Sequence, residues 1–464
     1  MPNYGEIMVK NTKKAMNVNK NTNKFSQVNP LVGGLDIGAN SIYACVGLSD
    51  GSQRVREFST FTSDLKKMAA WFKKHKNSTV AMESTGVYWI ASYDILAQSG
   101  IKPVLVNAHH LKSVPGRKTD VKDCQWIQQL HSYGLLRGSF RPDDDGVKFR
   151  TLVRQRSRLL ESSSVQVQLM HKALAQMNIQ MRQVISSITG VTGLNIIRSI
   201  ISGETNSVEL AKLRDARCKK SEGEIALALE GNFRPELIFS LKQAVDGYDF
   251  FQKQVCECED KIKEILECWN NEQETISRNA ENKERLNTKK TYNKSTYQFD
   301  AGDKLKKFTG VDLTEVPGID DSTAIKIISE IGFDMKYWPS AKHFASWLGL
   351  CPGNKISGGK VLCSKTKPTA NKAAQALRMA ANALYASKTA LGAFFRRMRA
   401  RLGTPKAITA TAHKLAIIIY NMLACKRPFH EAGQEEYERR YRARSIANLK
   451  RRAKNMGFEL VEIE

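Results

Sequence analysis

Two hydrophobic periodicities share this chain, and their order restricts its fold more than any other feature. From Leu31 onward the apolar residues come in short runs broken by turn-formers. "LVGGLDIGANSIYACVGLSDG" reads as a strand, a tight Gly/Asn turn, a second strand of β-branched and small residues, and another turn, the pattern of a hairpin. "SDLKKMAAWFKKHK" has helical spacing, "STVAMESTG" reads as a buried strand, "VYWIASYDILAQSG" as a helix stopped by Gly100, and "IKPVLVNA" as a further strand. Strands alternating with helices predict a mixed sheet covered on both faces. After Phe140 the period changes. Leu159, Ser163, Val167, Met170, Leu174, Met177 and Met181 are spaced by threes and fours, and Leu241, Tyr248, Phe251, Val255, Cys258, Ile262, Ile265 and Trp269 follow the same rule with one gap. Two such stripes predict a coiled coil, antiparallel or between subunits, with the methionines as seam packing.

The strand pattern gives four acidic residues a common address. Asp36 falls in the first strand, Glu83 at the C-terminal end of a later one, and Asp120 and Asp123 at the start of the helix in "PGRKTDVKDCQWIQQLH". Taken alone, Asp120 and Asp123 read as ordinary caps, because acids in a first helical turn offset the macrodipole and bind free N–H groups. Four carboxylates meeting at one edge of a sheet are different: they repel one another unless a cation neutralises them, and oxygen donors suit Mg²⁺ or Mn²⁺. Two such ions about 3.5–4 Å apart would clamp the attacking and leaving oxygens of a phosphoryl transfer.

The bulk numbers set the partners. At 464 residues the chain exceeds the usual size of one core, so two or three domains are expected. Its 72 Lys and Arg against 46 Asp and Glu give a net charge of +26, which favours a polyanion through phosphate neutralisation. No apolar run approaches the roughly 20 residues that span a bilayer, so no membrane partner is expected. The Asn/Lys-rich first 30 residues lack the apolar core of a signal peptide, which makes a cytoplasmic location the expectation. Nine cysteines with no CxxC pair read as reduced thiols and not as a disulfide scaffold or zinc site.

A third region begins at "LTEVPGIDDSTAIKIISEIG", where a Pro-Gly turn between apolar helices fits either a helix-hairpin-helix element, whose turn amides bind phosphate, or a plain αα-hairpin. Beyond it, Ser357 is bracketed by Lys355, Gly358, Gly359 and Lys360. Glycines allow close approach to a phosphate and lysines gather negative charge, yet a Ser-Gly-Gly stretch by itself is most often a flexible turn. The Arg-rich tail "EEYERRYRARSIANLKRRAKNMGFELVEIE" reads as a solvated helix or as a nucleic-acid arm, the second favoured by Tyr437 and Tyr441 between the arginines.

"GLDIG", "MESTGVYW" and "LVNAHHLKSVPGRKTDVKDCQWIQQLHSYGLLRGSF" resemble the signatures of the DEDD-type insertion-sequence transposases, from about Leu31 to Arg150 and again from about Leu305. The resemblance implies a RuvC-like (RNase H-like) α/β domain, a coiled-coil helical middle and a mostly helical C-terminal transposase domain with the helix-hairpin-helix-like element. By motif, Asp36, Glu83, Asp120 and Asp123 become the metal-binding tetrad for Mg²⁺, with Mn²⁺ as an alternative. Ser357 becomes the family's catalytic serine, ahead of a helix with the Asn and Leu-Arg pattern seen as Asn371, Leu377 and Arg378. Ser364, past the glycines, suits that role less well. Arg117, Lys118, Lys355, Lys360, Lys365, Arg396, Arg397, Arg399 and Arg401 are the expected nucleic-acid contacts.

The expected division is a basic mobile leader (1–30), the DEDD domain (31–140), a helical coiled-coil region (141–275), a polar linker (276–303), the serine transposase domain (304–425) and a basic helical tail (426–464). The resemblance further implies double-stranded DNA as substrate, at the element's ends and at the target, a structured noncoding guide (bridge) RNA, and dimers joining into a tetramer. The expected reaction is excision and integration through Mg²⁺-assisted serine attack on DNA phosphodiesters. The alternatives are a metal-dependent nuclease or junction resolvase that cuts by water attack with Ser357 structural, and a binding protein with an unused tetrad.

Overall fold

A computed structural model describes residues 27–84, 86–107, 120–276 and 296–461. The chain divides into two compact units, Met1–Arg141 and Pro142–Glu464. The first 26 residues of the expected leader and residues 277–295 of the expected linker lie outside the described residues.

The first unit is a five-stranded mixed sheet. Its strands are β1 (Val32–Ile37), β2 (Ser41–Gly47), β3 (Gln53–Ser59), β4 (Thr79–Glu83) and β5 (Lys102–Val106), in the order β3-β2-β1-β4-β5. β1, β2 and β3 form an antiparallel meander, and β4 and β5 run parallel to β1. This arrangement is consistent with the RNase H-like expectation.

Both faces are covered, and the register decides which side chain faces which layer. α1 (Thr62–Lys74) buries Leu65, Met68, Ala69 and Phe72, an i, i+3, i+4, i+7 stripe, against Leu35, Val80 and Met82. α2 (Trp89–Gln98) adds Leu96 to the same core. α3 (Asp120–Ser132) lies on the opposite face. There it approaches β1 so closely that a Cβ on Gly34 would stand 2.4 Å from the Gln128 nitrogen and 2.5 Å from the Cys124 carbonyl oxygen. Only glycine admits that contact. Gln128 Nε2 donates to the Val32 carbonyl (3.2 Å), and the His131 ring meets the Thr79 hydroxyl.

The second unit is helical, apart from one small hairpin. α4 (Asp144–Gln176) starts at Asp143, whose carboxylate accepts from the Gly146 N–H (2.8 Å), with Asp144 and Asp145 in the first turn. It pairs with α5 (Pro235–Ile276). Phe149 meets Trp269, Arg156 meets Glu259 and Ser163 meets Gln252, so the two helices are antiparallel within one chain. Within the chain the two stripes thus pair with each other in the antiparallel form. At the far end four short helices, Met181–Val184, Val191–Ile201, Ser207–Ala211 and Glu222–Ala228, close a core around Met170, Met177 and Met181. These methionines fill an irregular core in addition to a seam.

At the near end Trp269 also packs on Phe308 (5.1 Å) and Phe333 (4.6 Å). These belong to a helical body that contains α6 (Ala301–Thr309), α7 (Asp321–Ile331), α8 (Ala341–Trp347), α9 (Lys372–Ala383), α10 (Ala390–Leu402), α11 (Thr404–Cys425) and α12 (Gln434–Asn455). Glu330 in α7 receives a two-bond fork from Arg154 (2.7 Å each), while Arg150 donates to the Ser329 and Glu330 carbonyls. Tyr297, inside the segment expected to be a polar linker, is buried over the Arg156 guanidinium at 3.8 Å, so the chain is packed again before α6 begins. Burial pushes its phenol well above the usual range. α11 corrects the reading that no segment has the length and hydropathy of a membrane span, because it passes that test. It buries Ala407, Ala412, Leu415, Ala416, Ile419, Met422 and Leu423 in packing against α8, α9 and α10.

Candidate functional site

Side-chain alternation brings the acids together. Gly33 faces Phe72 of α1 and Gly34 faces α3, so Asp36, two residues beyond Gly34, lies on the α3 side. In β4, Val80 and Met82 join the α1 core, whereas Ala81 packs with Ile127 of α3, which puts Glu83 on the α3 side as well. Leu35 and Met82 are register partners in parallel strands. Asp36 and Glu83 each come one residue later, side by side where the two strands end, and both are half-buried.

The first turn of α3 lies toward the same end. His131 is beside Thr79 at the start of β4, Gln128 beside Val32 and Cys124 beside Gly34, so the helix runs against both strands and residues before 124 approach Asp36. Positions 120 and 123 precede Cys124 and Ile127 by four and so fall on the sheet-facing stripe. The side chain of Asp120 is outside the described residues, as are Arg117 and Lys118. Among the described residues no group of three or more Asp, Glu, His or Cys is drawn close enough to hold a metal ion.

The donor chemistry nevertheless fits a hard cation. One turn deeper, Cys45 of β2 and Cys124 of α3 are both fully buried. The hydrogen bond with Cys124, followed by burial, drives the Cys45 thiol far above its ordinary value. The Cys45 sulfur is therefore held as a thiol and does not compete as a thiolate ligand. What remains at the strand ends is carboxylate oxygen, the donor set of Mg²⁺ or Mn²⁺.

Ser357 sits elsewhere, in the second unit. β6 (Lys355–Ser357) and β7 (Lys360–Cys363) form a two-stranded hairpin in which Ser357 pairs with Lys360 across Gly358 and Gly359. Both glycines have positive φ, +54° and +75°, as a two-residue hairpin turn demands. The stretch that reads in sequence as a flexible turn is thus a defined one. Ser357 is exposed, and no described side chain is hydrogen-bonded to its hydroxyl as a base. Asn371 caps α9 through the Ala374 N–H (3.2 Å), Leu377 is fully buried and Arg378 is half-buried. The Pro-Gly turn lies between a short 3-10 turn, Leu313–Glu315, and α7, where the Asp320 carboxylate accepts from the Thr323 N–H at 2.7 Å.

The expected basic contacts separate into two groups. Lys355, Lys360, Lys365, Arg399 and Arg401 are exposed, with Arg399 stacked on Tyr385 at 4.6 Å. Arg396 instead donates to the Tyr385 and Ser387 carbonyls and to Gln434, and Arg397 lies over Phe394, Tyr437 and Tyr441. The tail tyrosines, which in sequence favour a nucleic-acid arm, hold α12 onto α10. Lys414 joins this cluster over Phe394 (4.6 Å), its pKa lowered by burial and by Arg397 and Arg444. A plainer signal goes unused in the sequence reading: from Met335 to His430 there are seventeen Lys and Arg and no Asp or Glu.

Comparison with known families matches both units. A family model described as a transposase, of the DEDD type, matches residues 33–179, and one described as "Transposase IS116/IS110/IS902 family" matches residues 298–396. No protein of curated function matches the chain. The first match implies dependence on a divalent metal and both imply action on DNA. The acid-bearing sheet and the serine hairpin thus fall in two separately recognised parts of one enzyme, and the chain belongs to the IS110-type DEDD transposases, which bind DNA and move an insertion sequence.

Proposed function

We propose that this transposase is a guide-RNA-directed recombinase in which Ser357 is the nucleophile and Asp36, Glu83, Asp120 and Asp123 hold Mg²⁺. What supports the reading is that Asp36 and Glu83 come side by side at the C-terminal ends of β1 and β4, on the face covered by α3, the helix that begins with Asp120 and Asp123. A bound Mg²⁺ would neutralise charge on the phosphate and on the departing oxygen. The serine Oγ forms a bond to phosphorus as the bond to the 3′ oxygen breaks. The serine hydroxyl proton leaves to water, and the departing 3′ oxygen takes up a proton from water to become a 3′-hydroxyl. The ester keeps the bond energy, so strands can be exchanged and rejoined without hydrolysis.

Among the described residues no base touches Ser357, and in this reading its activation comes from a phosphate polarised by the metal that the carboxylates hold. Lys355 and Lys360 beside it are placed to hold that phosphate, and Lys365 extends the contact. The guide RNA enters by family resemblance and is supported by the net charge of +26. A second copy, forming the dimer and then the tetramer, would dock on the apolar residues left exposed on the helix pair, Val165, Leu169 and Phe250.

The test is a denaturing gel of wild type, Ser357→Ala and Asp36→Asn with labelled element-end DNA, guide RNA and Mg²⁺. Wild type is expected to give a protein–DNA adduct that both variants lose. Free cleaved strands from Ser357→Ala would mean hydrolysis by water and would remove the serine from the mechanism.

A further inference from the structure

We propose that the β6–β7 hairpin is an apolar wedge that enters the minor groove of duplex DNA and unstacks a base step. Its position next to the attacked phosphate rests on the reading of Ser357 as nucleophile, whereas the wedge itself does not.

The hairpin buries neither of its faces. Ile356 and Val361 are cross-strand partners on one face and Leu362 projects from the other, and they are 61%, 59% and 69% exposed. A two-stranded hairpin with both faces in water is marginal by itself. Among the described residues it is tied at its base, where Pro352 pairs with Thr366 and the Gly353 N–H donates to the Lys365 carbonyl (2.9 Å). Its tip is two glycines, so a thin ribbon leads and the three apolar side chains follow directly behind it.

Charge identifies the occupant. Lys355, Lys360, Lys365 and Lys367 surround the apolar residues, all exposed, within the long stretch that contains no carboxylate. A second copy of the same hairpin would bring like charges together, and an apolar protein surface would leave four ammonium groups facing it. A DNA groove offers phosphates on both rims and apolar base faces between them, the combination that groove-inserting wedges use.

The experiment uses the full chain, Ca²⁺ in place of Mg²⁺ to avoid cutting, and a duplex with 2-aminopurine at the adenine of a flexible TA step. Binding of wild type is expected to raise 2-aminopurine fluorescence as the step unstacks. In Ile356→Thr/Val361→Thr/Leu362→Thr, which keeps β-branched residues in the strands, the rise should shrink at least about fivefold while the salt dependence of binding is unchanged, because phosphate contacts set that slope. Ser357→Ala should keep the full rise even though it forms no adduct, so failure of the wedge and failure of the serine chemistry give different results. The proposal is overturned if wild type produces no rise, if the triple variant matches wild type, or if the triple variant changes oligomeric state on gel filtration, which would make these faces a contact between copies.

Discussion

Arg156 and Glu259 show what one residue pair can cost this fold. Their side chains are 1% and 3% exposed, the guanidinium Nε donates to Glu259 Oε1 at 2.7 Å, Tyr297 covers the other side, and the second carboxylate oxygen accepts from the Gln298 N–H. Removing one charge from such a pair leaves the other stranded. Arg156→Leu is expected to cost about 3–5 kcal/mol in urea unfolding, and adding Glu259→Leu should recover most of it. An additive double variant would show that the pair is not coupled. Neither residue could be found from sequence, because a charged position beside an apolar stripe reads as solvent-facing until its partner 103 residues away is known. Asp36 and Glu83 were legible for the opposite reason: strand alternation and strand ends are local properties. Ser357 was not legible as a chemical group at all, and only the likeness to a family singled it out.

At the level of elements, the order of strands and helices in the first unit and the two long stripes of the second followed from periodicity. The short pieces did not. β6 and β7 are three and four residues long and almost wholly exposed, so they carry no hydrophobic pattern to read. The tail helix α12 misled in a different way, since its tyrosines alternate with its own arginines yet cover Arg397 of α10, at 5.0 Å for Tyr437 and 4.0 Å for Tyr441. Because α12 buries no residue fully, these ring contacts are a large share of what holds it. Tyr437→Ala/Tyr441→Ala is expected to lose about 1–3 kcal/mol of docking, seen as faster tryptic cleavage between residues 426 and 455 with the rest of the chain still resistant. Unchanged cleavage would place the attachment elsewhere, for example in the Arg396–Gln434 bond.

For the whole molecule the governing quantity is the placement of charge. A surplus of +26 says only that a polyanion is favoured, whereas a 96-residue stretch with no acid says where. Each lysine that neutralises a phosphate should contribute about 0.9 to the slope of log affinity against log salt. Lys355→Gln/Lys360→Gln/Lys365→Gln is therefore expected to flatten that slope by between about two and three, while Arg396→Gln, whose donors are used inside the protein, should leave it alone. Equal slopes for wild type and the lysine variant would move the DNA path off the hairpin. The helix pair has a different kind of consequence. Since α4 and α5 are antiparallel, the chain departs and returns at the aromatic base formed by Phe149, Trp269, Phe308 and Phe333, and the roughly 50 Å excursion between is closed on itself. A matched seven-residue block inserted in each helix would carry the far end about 10 Å outward without displacing an atom at the base. Reach, in a chain of this plan, is a dimension that can be reset without touching either the acid-bearing sheet or the serine hairpin.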